Sequence, residues 1–282
     1  REGGGDHFVV EGDEYDTAFF DKTPKFLHYH PDTLILTSVE FDHADIYRDL
    51  EHVKEAFLEL ILGMPKDGVV VACISDENVS EVIQDAPCRV ITYSVDSDLS
   101  ANWRASRLLS DTDGTVFQLE NGSQSCSVRL PMHGAINVAN ALGALAAVKS
   151  LGVPLKDAVS AIAGFRGVRR RQELRGEVRN VAVIDDFAHH PTAVRGSVEA
   201  IRARYPGRRL LVILEPRSNT SRRRVFQKAY VDALAGADQV LVQRVPDGPI
   251  YSATGEVGER FSADELAEDL RLRGVAALSL DG

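Results

Sequence analysis

The chain has 282 residues, 44% hydrophobic and 26% charged, values of a globular protein with room for two cores. A net charge of −10 argues against wholesale binding to nucleic acid or to an anionic membrane, although a local arginine cluster can still hold an anionic small molecule. Three dispersed cysteines give no disulfide framework, no apolar run nears the roughly 20 residues of a membrane span, and no signal segment opens the sequence, so a cytoplasmic setting is expected.

In chain order, Phe8–Val10 reads as a buried strand that ends at Glu11 and the acidic loop EGDEYD. DTLILTSVE is a second buried strand, and DLEHVKEAFLELIL carries apolar residues at helical spacing. GVVVACIS and CRVITYS read as further strands around the helical DENVSEVIQDA. From Trp103 to Leu130 the alternation and the DTDG and ENGS turns predict antiparallel strands. NVANALGALAAVKSLG and PLKDAVSAIAGF follow as helices, closing on Gly152 and opening on Pro154. Beyond FRGVRRRQELRGE the texture changes to strand and helix in alternation. NVAVIDDF, RRLLVILEP and ADQVLVQRV are the strands, and PTAVRGSVEAIRARY and SRRRVFQKAYVDALAG the helices. That spacing predicts a parallel, Rossmann-like sheet. The fold class expected is α/β, with a mixed-sheet domain over residues 1–167 and a Rossmann-like domain over 168–282.

Four constellations carry possible chemistry, each with a plainer reading. EGDEYD and VEFDHAD both follow strands, and if those strands are neighbours their carboxylates and His43 crowd one edge, where a cation would relieve the repulsion. Water-facing, helix-capping loops are the competing reading. The run Arg169–Arg171 with Arg175 suits phosphate or carboxylate, or a solvated face. Asn137 and Asn140 could cap their helix or read the edge of a heterocycle. In DDFAHHPT, adjacent His189 and His190 cannot share a face, while Asp186 at a strand end is placed for a ribose diol, unless the loop only caps the helix PTAVRGSV that follows. No GxxxxGK[ST] phosphate loop occurs in these residues.

Taken in order, EGDEYD, TSVEFDHAD, HGAINVAN, GVRRRQE, DDFAHHPT and LEPRSNT resemble the Mur ligases, which use ATP to join amino acids or peptides to UDP-N-acetylmuramate. The resemblance implies ATP and Mg²⁺ as cofactors. It implies Glu11 and His43 at Mg²⁺, Asn137 at adenine, Arg171 with Arg170 at the ATP phosphates, and Asp186 at the ribose. It places Glu11, His43 and Arg171 in the catalytic machinery, and His189, Arg217 and Asn219 on the substrate side. The wording EGDEYDTAFFDKTPKFLHY is most similar to the branch that takes the murein tripeptide L-Ala-γ-D-Glu-meso-diaminopimelate. The branch that takes L-alanine is the alternative, and a non-catalytic binding protein without the phosphate loop is a second. Ile136 stands where the family has a histidine, and Phe57 where several members carry a carbamylated lysine, so no carbamate is expected. The phosphate loop and UDP-binding domain are expected upstream of Arg1, and the 282 residues alone are not expected to turn over ATP.

Overall fold

A computed structural model describes residues 4–95, 100–246, 248–252, 255–256 and 258–281. The first half is built on a six-stranded mixed sheet, order β3-β4-β5-β6-β7-β8. Strands β3 (Thr33–Leu36), β4 (Val69–Cys73), β5 (Arg89–Ser94) and the start of β6 (Trp103–Asp111) run parallel. Then β6, β7 (Gly114–Asn121) and β8 (Gln124–Leu130) form an antiparallel meander turned by the two predicted loops. A short hairpin, β1 (Asp16–Ala18) and β2 (Asp21–Pro24), precedes the sheet.

Period-two alternation divides the sheet between two cores. Val70 and Ala72 face helices α1 (Leu50–Leu62) and α2 (Glu77–Val82), while Val71 and Cys73 face α3 (Ala135–Ser150) and α4 (Leu155–Ala163). Strands buried on both faces explain the unbroken apolar run VVVAC. Helix α3 comes close because its small residues allow it. A Cβ on Gly143 would lie 3.0 Å from the Tyr93 ring.

Residues 164–172 lead to the second half. There β11 (Leu211–Leu214), β12 (Gln239–Gln243) and β15 (Ala276–Leu280) form a parallel sheet, order β11-β12-β15. Its core is shared with α5 (Pro191–Arg204), α6 (Gln227–Leu234) and α7 (Ala263–Leu272). Two-residue strands β13 (Tyr251–Ser252) and β14 (Gly255–Glu256) pair between β12 and α7.

Three expectations are corrected. Phe8–Val10 is not a strand and lies exposed, because no described strand lies alongside to take its ladder bonds. NVAVIDDF forms β10 (Val181–Asp185), but it pairs antiparallel with β9 (Glu173–Val178) rather than joining the parallel sheet. The segment ELRGEV had been absorbed into the arginine-rich junction, since its charges hide the alternation of a strand. Finally, only Gln227–Leu234 of SRRRVFQKAYVDALAG is α-helix, after a 3₁₀ turn at Arg224–Phe226.

Candidate functional site

The site forms where the loop after β3 meets two loops of the second half. The β3 loop is held from below. Asp76, the N-cap of α2, takes the N–H of Val39 at 3.1 Å, and the Asn78 amide donates to the Val39 carbonyl at 2.8 Å. Beyond Val39 the chain carries Glu40, Asp42, His43 and Ala44. His43 sits at φ 48°, a left-handed conformation uncommon for a residue with a side chain, and its N–H donates to the Asp42 carboxylate at 2.7 Å.

The first opposing loop is 186–192. His189 Nε2 lies 3.6 Å from Asp42, and His190 Nδ1 lies 3.4 Å from Glu40. The adjacent histidines diverge, as their spacing predicts, but each reaches its own carboxylate. His190 is also the N-cap of α5, accepting from the Thr192 N–H at 3.4 Å. A ring nitrogen that accepts this bond cannot donate to Glu40, so the Thr192 hydroxyl is the group that donates to Glu40. The second opposing loop is 217–224. Buried Thr220 accepts from the Ala44 N–H at 3.0 Å, and Arg223 donates to the Ala44 carbonyl at 2.9 Å.

Electrostatics follow from this packing. Burial pushes the Asp42 carboxyl up, but the nearby His189 ring, the hydrogen bond from the His43 amide and the Thr220 hydroxyl outweigh it and bring the group down to about 2. His189 is raised from the usual histidine value, chiefly by Asp42 against the cost of burial. Burial lowers His43, while Glu14 at 3.0 Å and Asp42 outweigh it, so its net shift is upward. Between the loops lies a cleft of ≈ 210 Å³, lined among others by Glu14, Glu40, Asp42, His43, Ile136 and His190. Phe57 forms part of its apolar wall and stacks at 5.1 Å on Phe26.

The other predicted residues fall as follows. Glu11 is exposed on the lead-in to β1, and the carboxylate at the His43 ring is Glu14. Asn137 donates to the His133 carbonyl at 2.7 Å, which fastens the start of α3. Asp186 accepts from the Ala188 N–H at 2.8 Å, the Ser197 hydroxyl at 2.7 Å and the Gln172 N–H at 3.3 Å. Arg170 and Arg171 flank the Phe187 ring, their guanidinium carbons 4.8 and 5.7 Å from its centre. Arg217 is exposed and lies 3.5 Å from Glu215. Asn219 directly precedes the interface residue Thr220. The sequence reading gave no role to Thr220, Arg223 or Thr192. Only the chain order SNTSRRR, next to a strand end, marked that loop.

Comparison with known proteins agrees with this architecture. The Mur ligase middle domain profile matches residues 1–148, and the Mur ligase glutamate ligase domain profile matches residues 170–279. The chain belongs to the Mur ligase family. It is 38% identical over 244 residues to the UDP-N-acetylmuramate–L-alanyl-γ-D-glutamyl-meso-2,6-diaminoheptandioate ligase of Haemophilus influenzae, covering 86% of this chain and 53% of that one. It is 32% identical over 279 residues to the UDP-N-acetylmuramate–L-alanine ligase of Acetivibrio thermocellus, covering 95% of this chain and 55% of that one. A solved murein peptide ligase of Psychrobacter arcticus superposes with a TM-score of 0.64 at 30% identity, over 98% of this chain and 55% of that one. This Mur ligase chain therefore spans about half the length of the curated relatives it matches. No described helix is long and apolar enough to cross a membrane.

Proposed function

We propose that this chain supplies the nucleotide- and peptide-facing halves of an ATP-dependent ligase that joins the tripeptide L-Ala-γ-D-Glu-meso-diaminopimelate to UDP-N-acetylmuramate, as part of peptidoglycan recycling in the cytoplasm. The observation that carries this reading is the cleft where the β3 loop meets DDFAHHPT and EPRSNT, in a chain more similar to the relative named for the tripeptide than to the one named for L-alanine. The chemistry is transfer of the ATP γ-phosphoryl group to the muramoyl carboxylate, releasing ADP, followed by attack of the peptide's amine on the acyl phosphate, which forms the amide and releases inorganic phosphate and a proton.

The residues fit Mg²⁺ only as sparse ligands. Among the described residues no three His, Cys, Asp or Glu side chains converge into a ready cage. That suits an ion that takes most of its octahedral shell from water and phosphate. Glu11 and His43 would hold it, with Glu14 already at the His43 ring, and the ion would neutralise charge on the transferring phosphoryl group. Arg171, with Arg170, brings positive charge to the phosphates from the second half, and both guanidiniums lie close to the Phe187 ring. Asp186 would accept from the ribose. Three donors already occupy a carboxylate with about four acceptor sites, which leaves room for one hydroxyl rather than a diol. Asn137 keeps its amide oxygen for adenine while its nitrogen is committed to His133. His189, Arg217 and Asn219 face the incoming peptide.

The test is phosphate release by the full-length protein given ATP, Mg²⁺ and UDP-N-acetylmuramate, with either L-alanine or the tripeptide. Release only with the tripeptide is expected. Release only with L-alanine would assign the protein to the other branch.

A further inference from the structure

A second cleft, of ≈ 460 Å³, lies away from the site just described. It opens where β5 outruns β6. The first paired residues are Tyr93 and Trp103, so Arg89–Ile91 extend past the start of β6, and the last turns of α3 roof the gap. Its lining includes Arg89, Asn102, Trp103, Asn121 and Lys149. Lys149 is twelve residues beyond Asn137 on α3, roughly 18 Å along the helix, so this cleft is separate from the region proposed for adenine.

Its lining carries two cations, Arg89 and Lys149. Among the described residues neither Arg89 nor Lys149 has a carboxylate partner and none of the lining residues is a carboxylate, in a chain whose net charge is −10. Asn102 has a fixed orientation. Its amide oxygen accepts from the Thr92 N–H at 2.9 Å and the Thr92 hydroxyl at 3.1 Å, which turns the NH₂ away from Thr92. Trp103 lines the cleft with the rest of its side chain packed in the core, the residue being only 3% exposed. The negative end of α3 does not cancel this field. The Ala147 carbonyl is taken by the Leu151 N–H and the Ser150 hydroxyl, the Val148 carbonyl by the Val153 N–H, and the Lys149 carbonyl by the Gly152 N–H. Guanidinium, ammonium, amide and indole donors around one opening select an oxyanion, and the volume is that of a small-ligand site.

We propose that this cleft binds a small phosphate monoester, with Arg89 and Lys149 on the phosphate and the Asn102 and Trp103 N–H groups on its remaining oxygens. Trp103 is the sole tryptophan of the chain, so its fluorescence reports the cleft directly. The experiment titrates the chain with ribose 5-phosphate, a probe without a base, at constant ionic strength. Tryptophan emission and calorimetric heat are followed together, with neutral ribose and added NaCl as controls. Saturable binding at sub-millimolar concentration is expected, with inorganic phosphate weaker and ribose silent. The double variant R89Q/K149Q changes only exposed side chains, and it should weaken binding at least about tenfold while keeping the far-ultraviolet circular dichroism. Three results would overturn the proposal: no saturable heat or emission change, an equal response to NaCl, or unchanged affinity in the double variant.

Discussion

Thr220 joins the two halves of the chain through one buried hydroxyl, and replacing it tests the interface directly. The hydroxyl accepts from the Ala44 N–H at 3.0 Å and helps keep the Asp42 carboxyl charged, and the residue is 2% exposed. Thr220→Val keeps the shape but leaves the Ala44 N–H without an acceptor and takes one polar neighbour from Asp42, which still accepts from the His43 N–H at 2.7 Å. A buried donor left unsatisfied costs about 1–3 kcal/mol, and weakening of the charged acceptor adds to it, so a loss of about 2–3 kcal/mol is expected. Thr220→Ser keeps the hydroxyl and loses one methyl, about 1 kcal/mol. Urea unfolding of both variants, followed by circular dichroism, measures the difference, with midpoints compared at equal slope. Serine should lie clearly closer to the parent than valine. If valine were as stable as serine, the hydroxyl would not be what fastens the loops together, and the interface would rest on apolar packing alone.

The pair Asp42–His189 should show a pH window. Asp42 is lowered, so its contribution is present above its ordinary value of 3.8 and is lost as pH falls through about 2. His189 is raised, so its contribution is full below 6.5 and fades as pH rises through its elevated value. At 3.6 Å and partly exposed, the contact is an ion pair rather than a well-formed hydrogen bond, so a D42N/H189Q cycle should give about 1 kcal/mol at pH 6 and almost nothing at about pH 9. Equal coupling at both values would rule out a charged histidine there. Gly134→Ala places a methyl 2.6 Å from the Ala200 Cβ at φ +90°, where α3 starts against α5, and should lower stability by at least about 2 kcal/mol in thermal unfolding. The same change at Gly207, with open space around it, should cost about 1 kcal/mol. In the full-length protein Asp186→Ala should weaken ATP binding about tenfold, measured by calorimetry, whereas Ser197→Ala, which removes only one anchor of that carboxylate, should change it little. Equal losses in both would mean that loop order, and not a ribose contact, sets the affinity.

The sequence by itself determined the elements whose signal is local. Buried strands such as VVVAC, the helical spacing of DLEHVKEAFLELIL, the hairpin turns of the meander and the order of the six motifs were all legible, because periodicity and turn chemistry act within a few residues. The family followed from that order. Only the tertiary structure decided which partners the charged residues find. Asp186 turns inward to Ser197, Asn137 to His133, His43 to Glu14, and Asp42 reaches His189 across 147 positions. Phe8–Val10 and β10 were misread for the same reason: a strand depends on the strand beside it, which its own residues do not encode. Thr220 carried no sequence signal, because a hydroxyl in SNTS reads as an ordinary polar loop until Ala44 is packed against it and water is excluded from the bond between them.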